Sequence, residues 1–526
     1  MERTTHHTIF SLQEILLIIF RFCTCADRRD GEKQVTDKGT LVSLARTCWS
    51  FHAPALDVLY SDTNMVRLVQ TMSRNLWYID LRELCFQRPM DLQDWNIFLH
   101  YARRVRILRT FGGFEMSATI FQTLSHPPNN FSNIFPRLVD LRVGNPVHHE
   151  FISLLLTRNL TTILLPFIEG DEIATNILPT LPSVCPYLRH IELSRSEYQL
   201  IRGTINSPGA YEVLYKLPLL ETLLCPDVVM SRKILSHVAC LPSLKVIDIN
   251  LPMDPLEEFG SNRNTFPVLQ RLEISSPTPQ SCLQFLESVT SSSMDAIHLR
   301  TFGMFSEEAS YDILVALSSF TSLTHITILE CHAEKDGIYR GGLDPLLHLH
   351  NLQQVWVCSD STYSVDDQML SQMASAWPRI EYLYLWPPDG WETDPITTLP
   401  GIIPLLQRCP NLHFLGTTFD ATLPIHADLF TYDICSSKTP LDLNVGHSPI
   451  VDPPAIAAFL SHMAPNLRAL AAQDMSCEDE TCEAHKAKWG QVGQIIGIES
   501  EHWRVNTFMF DCIRGSLSSL NDDGYS

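Results

Sequence analysis

The sequence predicts an α/β solenoid: a small N-terminal helical unit, then a long array of strand–helix repeats with parallel strands on one face and helices on the other. Three observations lead there. A short phrase recurs through most of the chain: a proline or polar residue, an apolar anchor, and further apolar residues at +3 and +5. Between its copies lie stretches with the i, i+3, i+4 spacing of amphipathic helices. The first sixty residues lack the phrase and carry three short helical patterns instead.

The phrase is clearest in Pro136-Arg137-Leu138-Val139-Asp140-Leu141-Arg142-Val143, Pro186-Tyr187-Leu188-Arg189-His190-Ile191-Glu192-Leu193 and Pro242-Ser243-Leu244-Lys245-Val246-Ile247-Asp248-Ile249. Its anchors are Leu138, Leu188, Leu220, Leu244, Leu269, Leu323, Leu352, Ile380, Leu412 and Leu467. Weaker copies stand at Leu81, Val105, Leu160 and Met294, and one near Lys438 keeps only Leu441 and Leu443. The step is about 28 residues. That period, with L-x-x-L-x-L in each copy, resembles a leucine-rich repeat. The asparagine or cysteine expected eight residues after the anchor is present only as Cys331, so the resemblance is to a degenerate form. Helices are expected between strands: one opened by Ser306-Glu307-Glu308, one by Ser364 and Asp367 as a capping box, and others over Phe151–Leu156, Leu283–Val289 and Ile456–Met463.

Strand side chains alternate. If +3 and +5 face the core, then +2, +4 and +6 face the open side of the sheet. That rule places Trp356, Tyr382, Tyr384, Trp386 and Phe414 on neighbouring strands of the open face, a candidate substrate-docking patch. The alternative is that the chain's own tail, Val492–Ile498 or Trp503–Phe510, covers them. Upstream, the open face is more polar: His190, Glu192, Asp248, Arg271, Glu273, His298 and Arg300.

Near the start, Ile15–Phe20 is a run of six apolar residues. It is too short for a bilayer, which needs about 20, and Glu14 before it is the wrong flank for a signal peptide. It reads as a helix apolar on nearly all sides, needing partners on two of them. A polar loop over Asp27–Gly39 follows. A second helix carries Leu41, Leu44, Ala45 and Cys48 with Thr40 as its N-cap, and a third, opened by Pro54, carries Ala55, Leu56, Leu59 and Tyr60. Three such helices make a small core that is often completed against a partner.

Leu12-Gln13-Glu14-Ile15-Leu16…Ile19-Phe20, Leu41…Leu44-Ala45-Arg46-Thr47-Cys48-Trp49…Phe51 and Ala55-Leu56…Leu59-Tyr60 together resemble an F-box, in the form common among fungal F-box proteins. Gln13 stands where that family usually has proline. The resemblance implies docking on the Skp-type adaptor, and through it the cullin, of an SCF ubiquitin ligase. Leu12, Ile15, Leu16, Ile19, Phe20, Leu41, Leu44, Cys48 and Trp49 would share internal core and adaptor contact. The implied organisation is a disordered N-terminus over 1–7, the F-box over 8–62, the repeats over 63–475, and a C-terminal cap and flexible tail over 476–526. The implied function is substrate recruitment for ubiquitin-dependent degradation in the cytoplasm or nucleus. The alternative is a repeat scaffold that acts without a ligase.

Composition excludes some classes. A net charge of −21 argues against nucleic acid, which needs a concentrated positive field. Arg103, Arg104, Arg106 and Arg109 are the best candidate for a local basic patch; the alternative, which the sequence favours, is the solvated rim of one repeat. The fifteen cysteines are scattered and odd in number, as expected of reduced, buried thiols in an intracellular chain. No G-x-G-x-x-G, P-loop, G-x-S-x-G or H-E-x-x-H motif is present, so neither an enzyme nor a cofactor is expected. Cys477, Cys482 and His485 have ligand-like spacing but no fourth partner nearby, and Glu478, Asp479 and Glu480 mark an exposed acidic loop. No metal site is expected.

Overall fold

The structure is a computed structural model. It describes residues 13–22, 38–128, 133–144, 149–166, 176–194, 213–254, 256, 265–302, 307–331, 342–359, 365–386, 395–426, 429–430, 439–472 and 480–498. The chain divides into two compact units, Met1–Val229 and Met230–Ser526.

The first unit opens with three helices: α1 (Gln13–Phe22), α2 (Lys38–Thr47) and α3 (Trp49–Leu59). Leu16, Phe20, Leu41, Ala45, Ala55, Leu56 and Val58 form their shared core. Two helix starts differ from the sequence reading, and Cys48, expected on the second helix, stands at the N-cap position of the third. Thr40 lies inside α2 rather than capping it, and Pro54 lies within α3, which begins five residues earlier. The core accounts for the earlier start of α3. Phe51 sits on that extra turn, against Phe20 at a ring distance of 5.4 Å, and this contact offsets the hydrogen bond that Pro54 cannot donate.

The chain passes from α3 into a sheet without a linker. Six parallel strands follow in order: β1 (Asp62–Asn64), β4 (Ile107–Arg109), β6 (Asp140–Arg142), β7 (Thr162–Pro166), β8 (His190–Ser194) and β9 (Thr222–Val229). A second, three-stranded sheet is inserted after β1: β2 (Trp77–Asp80) and β3 (Glu83–Phe86) form an antiparallel hairpin, and β5 (Glu115–Met116) pairs in parallel with β3. The repeat copy expected at Leu81 is therefore corrected. Leu81 is the tip of that hairpin and almost fully exposed, and the first strand of the array is β1.

The second unit is a run of nine parallel strands, each beside its predecessor: β10 (Val246–Asn250), β11 (Arg271–Ser276), β12 (Ala296–Phe302), β13 (His325–Cys331), β14 (Gln354–Ser359), β15 (Tyr382–Trp386), β16 (Phe414–Thr417), β17 (Leu441–Asn444) and β18 (Leu467–Ala471). Helices connect many of them, among them Pro279–Ser288, Glu307–Ser318, Asp367–Ala376 and Pro453–Met463. Strand, turn and helix recur, and the architecture is an α/β, leucine-rich-repeat-like solenoid in both units.

The phrase explains the regularity. From Leu138 to Leu412 the anchors are completely or almost completely buried, and each strand begins two residues after its anchor. The anchor seals the turn, and the +3 and +5 residues, such as Ile247 and Ile249, fill the layer between strands and helices. Helix starts follow ordinary capping. Asp366, not the expected Ser364, accepts the Met369 amide at 2.7 Å, and Ser364 lies outside the described residues. Asp367 turns instead to the next repeat and accepts the Thr398 amide and hydroxyl, both at 2.7 Å.

The helix Glu480–Ile496 closes the second unit. The Trp489 indole donates to the Ser448 carbonyl at 2.8 Å, and the ring meets Phe419 edge-on. Among the described residues, no helix is long and apolar enough to cross a membrane.

Candidate functional site: the outward face of the N-terminal helices

Two apolar faces on one ten-residue helix define the site. Leu16 and Phe20 are 1% and 2% exposed and point into the three-helix core. Ile15, Ile18, Ile19 and Phe22 fall at i, i+3, i+4 and i+7, which puts them on one stripe turned away from that core. Ile15 is half-buried, whereas Ile18 (54% exposed), Ile19 and Phe22 (73%) lie open. Val42 on α2 and Trp49 at the start of α3 are exposed as well, Trp49 to 92%. Exposed apolar residues scattered singly mean little, but three exposed apolar side chains on one helical stripe have the composition of a protein-contact surface.

The residues expected in core and interface separate in space. Leu16, Phe20 and Leu41 are interior, Ile15 and Leu44 are half-buried, and Ile19, Cys48 and Trp49 are exposed. Leu12 lies outside the described residues. Sequence reading overlooked Ile18, Phe22 and Val42. The stripe from Ile15 to Phe22 was the signal that could have found two of them, since i+3 and i+7 complete the face that Ile15 and Ile19 begin.

The helices are held in register by polar contacts as well as by the core. A His52 ring nitrogen lies 2.9 Å from the Ala45 carbonyl and ties α3 to α2. Asp57 on α3 pairs with Arg104, and its second oxygen lies 3.5 Å from Arg137. Tyr60 packs on Tyr101 at 4.5 Å, and burial is the main cause raising the Tyr60 phenol pKa. The expected basic cluster is thereby half neutralised: Arg104 is taken by Asp57 and Arg109 by Asp62, while Arg103 and Arg106 are exposed.

The outer face of the second unit's sheet is a different kind of surface. The register aligns Asp248, Glu273, His298, Thr327, Trp356, Tyr384, Gly416 and Asn444 in a single rung. The expectation of an open aromatic patch is corrected here: Trp356, Tyr384 and Phe414 are 8%, 1% and 5% exposed. They pack on one another, with Trp356 stacked parallel to Phe414 at 6.1 Å and against Tyr384 at 4.4 Å. Gly416 makes this possible, because a Cβ there would stand 2.3 Å from Tyr384 Cδ2. The Tyr384 ring therefore lies over the glycine. Tyr382 is half-buried against the cluster, and the Trp386 side chain lies outside the described residues. The tail segment Val492–Ile498 belongs, in its described part, to the last helix and its exit, and Trp503–Phe510 lies outside the described residues.

Upstream on the same rung the buried groups are ionisable: Asp248, Glu273 and His298. Arg300 reaches Asp248 at 3.3 Å and Glu273 at 2.5 Å. Burial pushes the Glu273 carboxyl up, opposed by Arg300 and Arg271. Burial, aided by Arg271, His325 and Arg300, pushes His298 down to about 3, so the ring is neutral at physiological pH. Cys185, Cys225, Cys282 and Cys409 are buried. Among the described residues no group of three or more histidine, cysteine or acidic side chains is placed to hold a metal. Of the three ligand-like residues, Cys477 and the Cys482 side chain lie outside the described residues, and His485 Nδ1 accepts the Ile450 amide at 3.1 Å.

No family model matches the chain, and no curated protein sequence matches it. Among solved structures, a similar one is the crystal structure of the Rad7 and Elc1 complex in yeast. It shares 14% identity over 69% of this chain and 89% of that chain, with a TM-score of 0.38. A likeness of that degree carries no functional argument.

Proposed function

We propose that this chain is a substrate-recruiting receptor subunit of an SCF-type ubiquitin ligase. The helices α1–α3 act as an F-box and dock a Skp-type adaptor, which links the chain to a cullin, and the repeats receive a protein target. The observation that carries the reading is the two-faced α1: its inner face completes a core, and its outer stripe offers Ile15, Ile18, Ile19 and Phe22 to a partner. Each aliphatic side chain buried there is worth roughly 1.5–3 kcal/mol, so a few suffice as hot spots. The chain performs no chemistry itself; it raises the effective concentration of a target beside a ubiquitin-conjugating enzyme.

Co-purification with a Skp-type adaptor and cullin tests the reading. Wild type should recover both, and Ile18→Asp with Ile19→Asp should abolish recovery while leaving the circular dichroism spectrum and Tm in place, because both side chains lie outside the core. Failure of the wild-type chain to hold adaptor at physiological salt would sink the ligase reading and leave a repeat scaffold.

A further inference from the structure

The hairpin of the small inserted sheet carries unsuitable residues at its turn. Asp80 pairs with Glu83 across it, so the loop is the two residues Leu81 and Arg82. Both adopt positive φ, 43° and 73°. A two-residue hairpin turn with φ > 0 at both positions is the type that asparagine–glycine or aspartate–glycine fills readily. Bulky residues with a Cβ are strained there. The strain is nevertheless held in place: the Glu115 amide donates to the Arg82 carbonyl at 3.0 Å, and β5 pairs with β3 alongside.

The fold gains no burial from the leucine. Leu81 is 96% exposed, and Tyr78 and Ile79 on the same hairpin and Phe114 just before β5 are exposed as well. The charged frame is lopsided: Asp80, Glu83 and Glu115 are exposed, with Arg82 at the turn, and Arg74 lies back over Trp77 at the far end of β2. Strain kept at an exposed apolar tip is the mark of a contact residue rather than a structural one.

We propose that the β2–β3 hairpin is a docking knob, with Leu81 as its anchor, for a protein partner that offers an apolar socket rimmed by lysine or arginine. The acidic frame selects the sign of the rim, and the paired backbone on either side of the turn lowers the ordering cost of binding to that of the leucine side chain. The proposal concerns a surface separate from the α1 stripe and does not depend on adaptor docking.

The test uses the purified full-length chain and a random peptide display library. Selected peptides should be enriched in apolar residues with Lys or Arg, should bind Leu81→Asp at least tenfold more weakly, and should weaken further with salt. Leu81→Asn supplies the discriminating readout: asparagine suits the turn, so Tm should rise by a few degrees while peptide affinity falls about tenfold. A fall in Tm with Leu81→Asn, peptides that bind Leu81→Asp undiminished, or peptides without basic residues would overturn the proposal. So would a dimer of the chain that Leu81→Asp dissolves, since the socket would then belong to a second copy.

Discussion

Gly416→Ala is the sharpest probe of the aromatic rung. The added Cβ would lie 2.3 Å from Tyr384 Cδ2 and 2.9 Å from its Cε2, against about 3.4 Å for ordinary contact, so the ring must give by roughly an ångström. It cannot do so alone, because Tyr384 is wedged between Trp356 and Phe414 at ring distances of 4.4 and 6.0 Å. Overpacking of this kind costs about 1–3 kcal/mol. Gly416 has no positive φ, so alanine also returns about 0.4–1 kcal/mol by restricting the unfolded chain. The expected net loss is about 1–2 kcal/mol, read by urea unfolding followed through tryptophan fluorescence. A double-mutant cycle isolates the contact: in a Tyr384→Ala background only the milder approach of Phe414 Cε1, at 3.2 Å, remains, and the cost of Gly416→Ala should fall well below its wild-type value. An equal cost in both backgrounds would refute the argument that Tyr384 lies over the glycine.

Other outcomes follow from the same geometry. Leu16→Ala should cost about 2–5 kcal/mol, and Ile18→Ala, two residues along the same helix, less than about 0.5, both by denaturant midpoint. Asp57→Ala leaves the partly buried Arg104 without its carboxylate and should cost about 1–3 kcal/mol, with increased hydrogen exchange in α3. His298 is held near 3, below its unfolded value of about 6.5, so the unfolded state binds the extra proton in that interval. The His298 contribution to stability is complete well above pH 6.5 and is lost as pH falls through 6.5 toward 3. His298→Gln should therefore flatten the pH–stability curve between pH 6.5 and 5 by about one proton. Glu273, shifted upward, acts in the opposite sense in both proteins and drops out of the difference.

The repeats were legible because their physics is local and periodic. An anchor such as Leu244, with Ile247 and Ile249 after it, fixes a strand whatever the neighbours do, and even the weak copies at Val105, Leu160 and Met294 lead into strands. Leu81 misled because a lone leucine in an apolar stretch looks like an anchor; the Asp80–Glu83 pairing that makes it a turn is visible only in three dimensions. Alternation placed Trp356, Tyr384 and Phe414 on the outer face, as the register shows. Their burial was not readable, because it depends on a glycine on the next strand that lets a ring lie over it. In the helices the apolar excess was plain. The division of labour within it, Leu16 inward and Ile18 outward, needed the positions of α2 and α3.

The junction between α3 and β1 bears on how the protein can be dissected. The Ser61 carbonyl accepts the amides of both Arg106 and Ile107, Asp57 is clasped from two later segments, and Tyr101 packs on the helical core. The helices thus serve as the lid on the first coil of the array. Repeat stacks need such a terminal cover to stay folded and soluble. Cutting away the first sixty residues would strip that lid along with any partner surface on it, and an insoluble remnant would mimic loss of function. Questions about the outer stripe are best answered by surface substitutions in the chain with these helices retained.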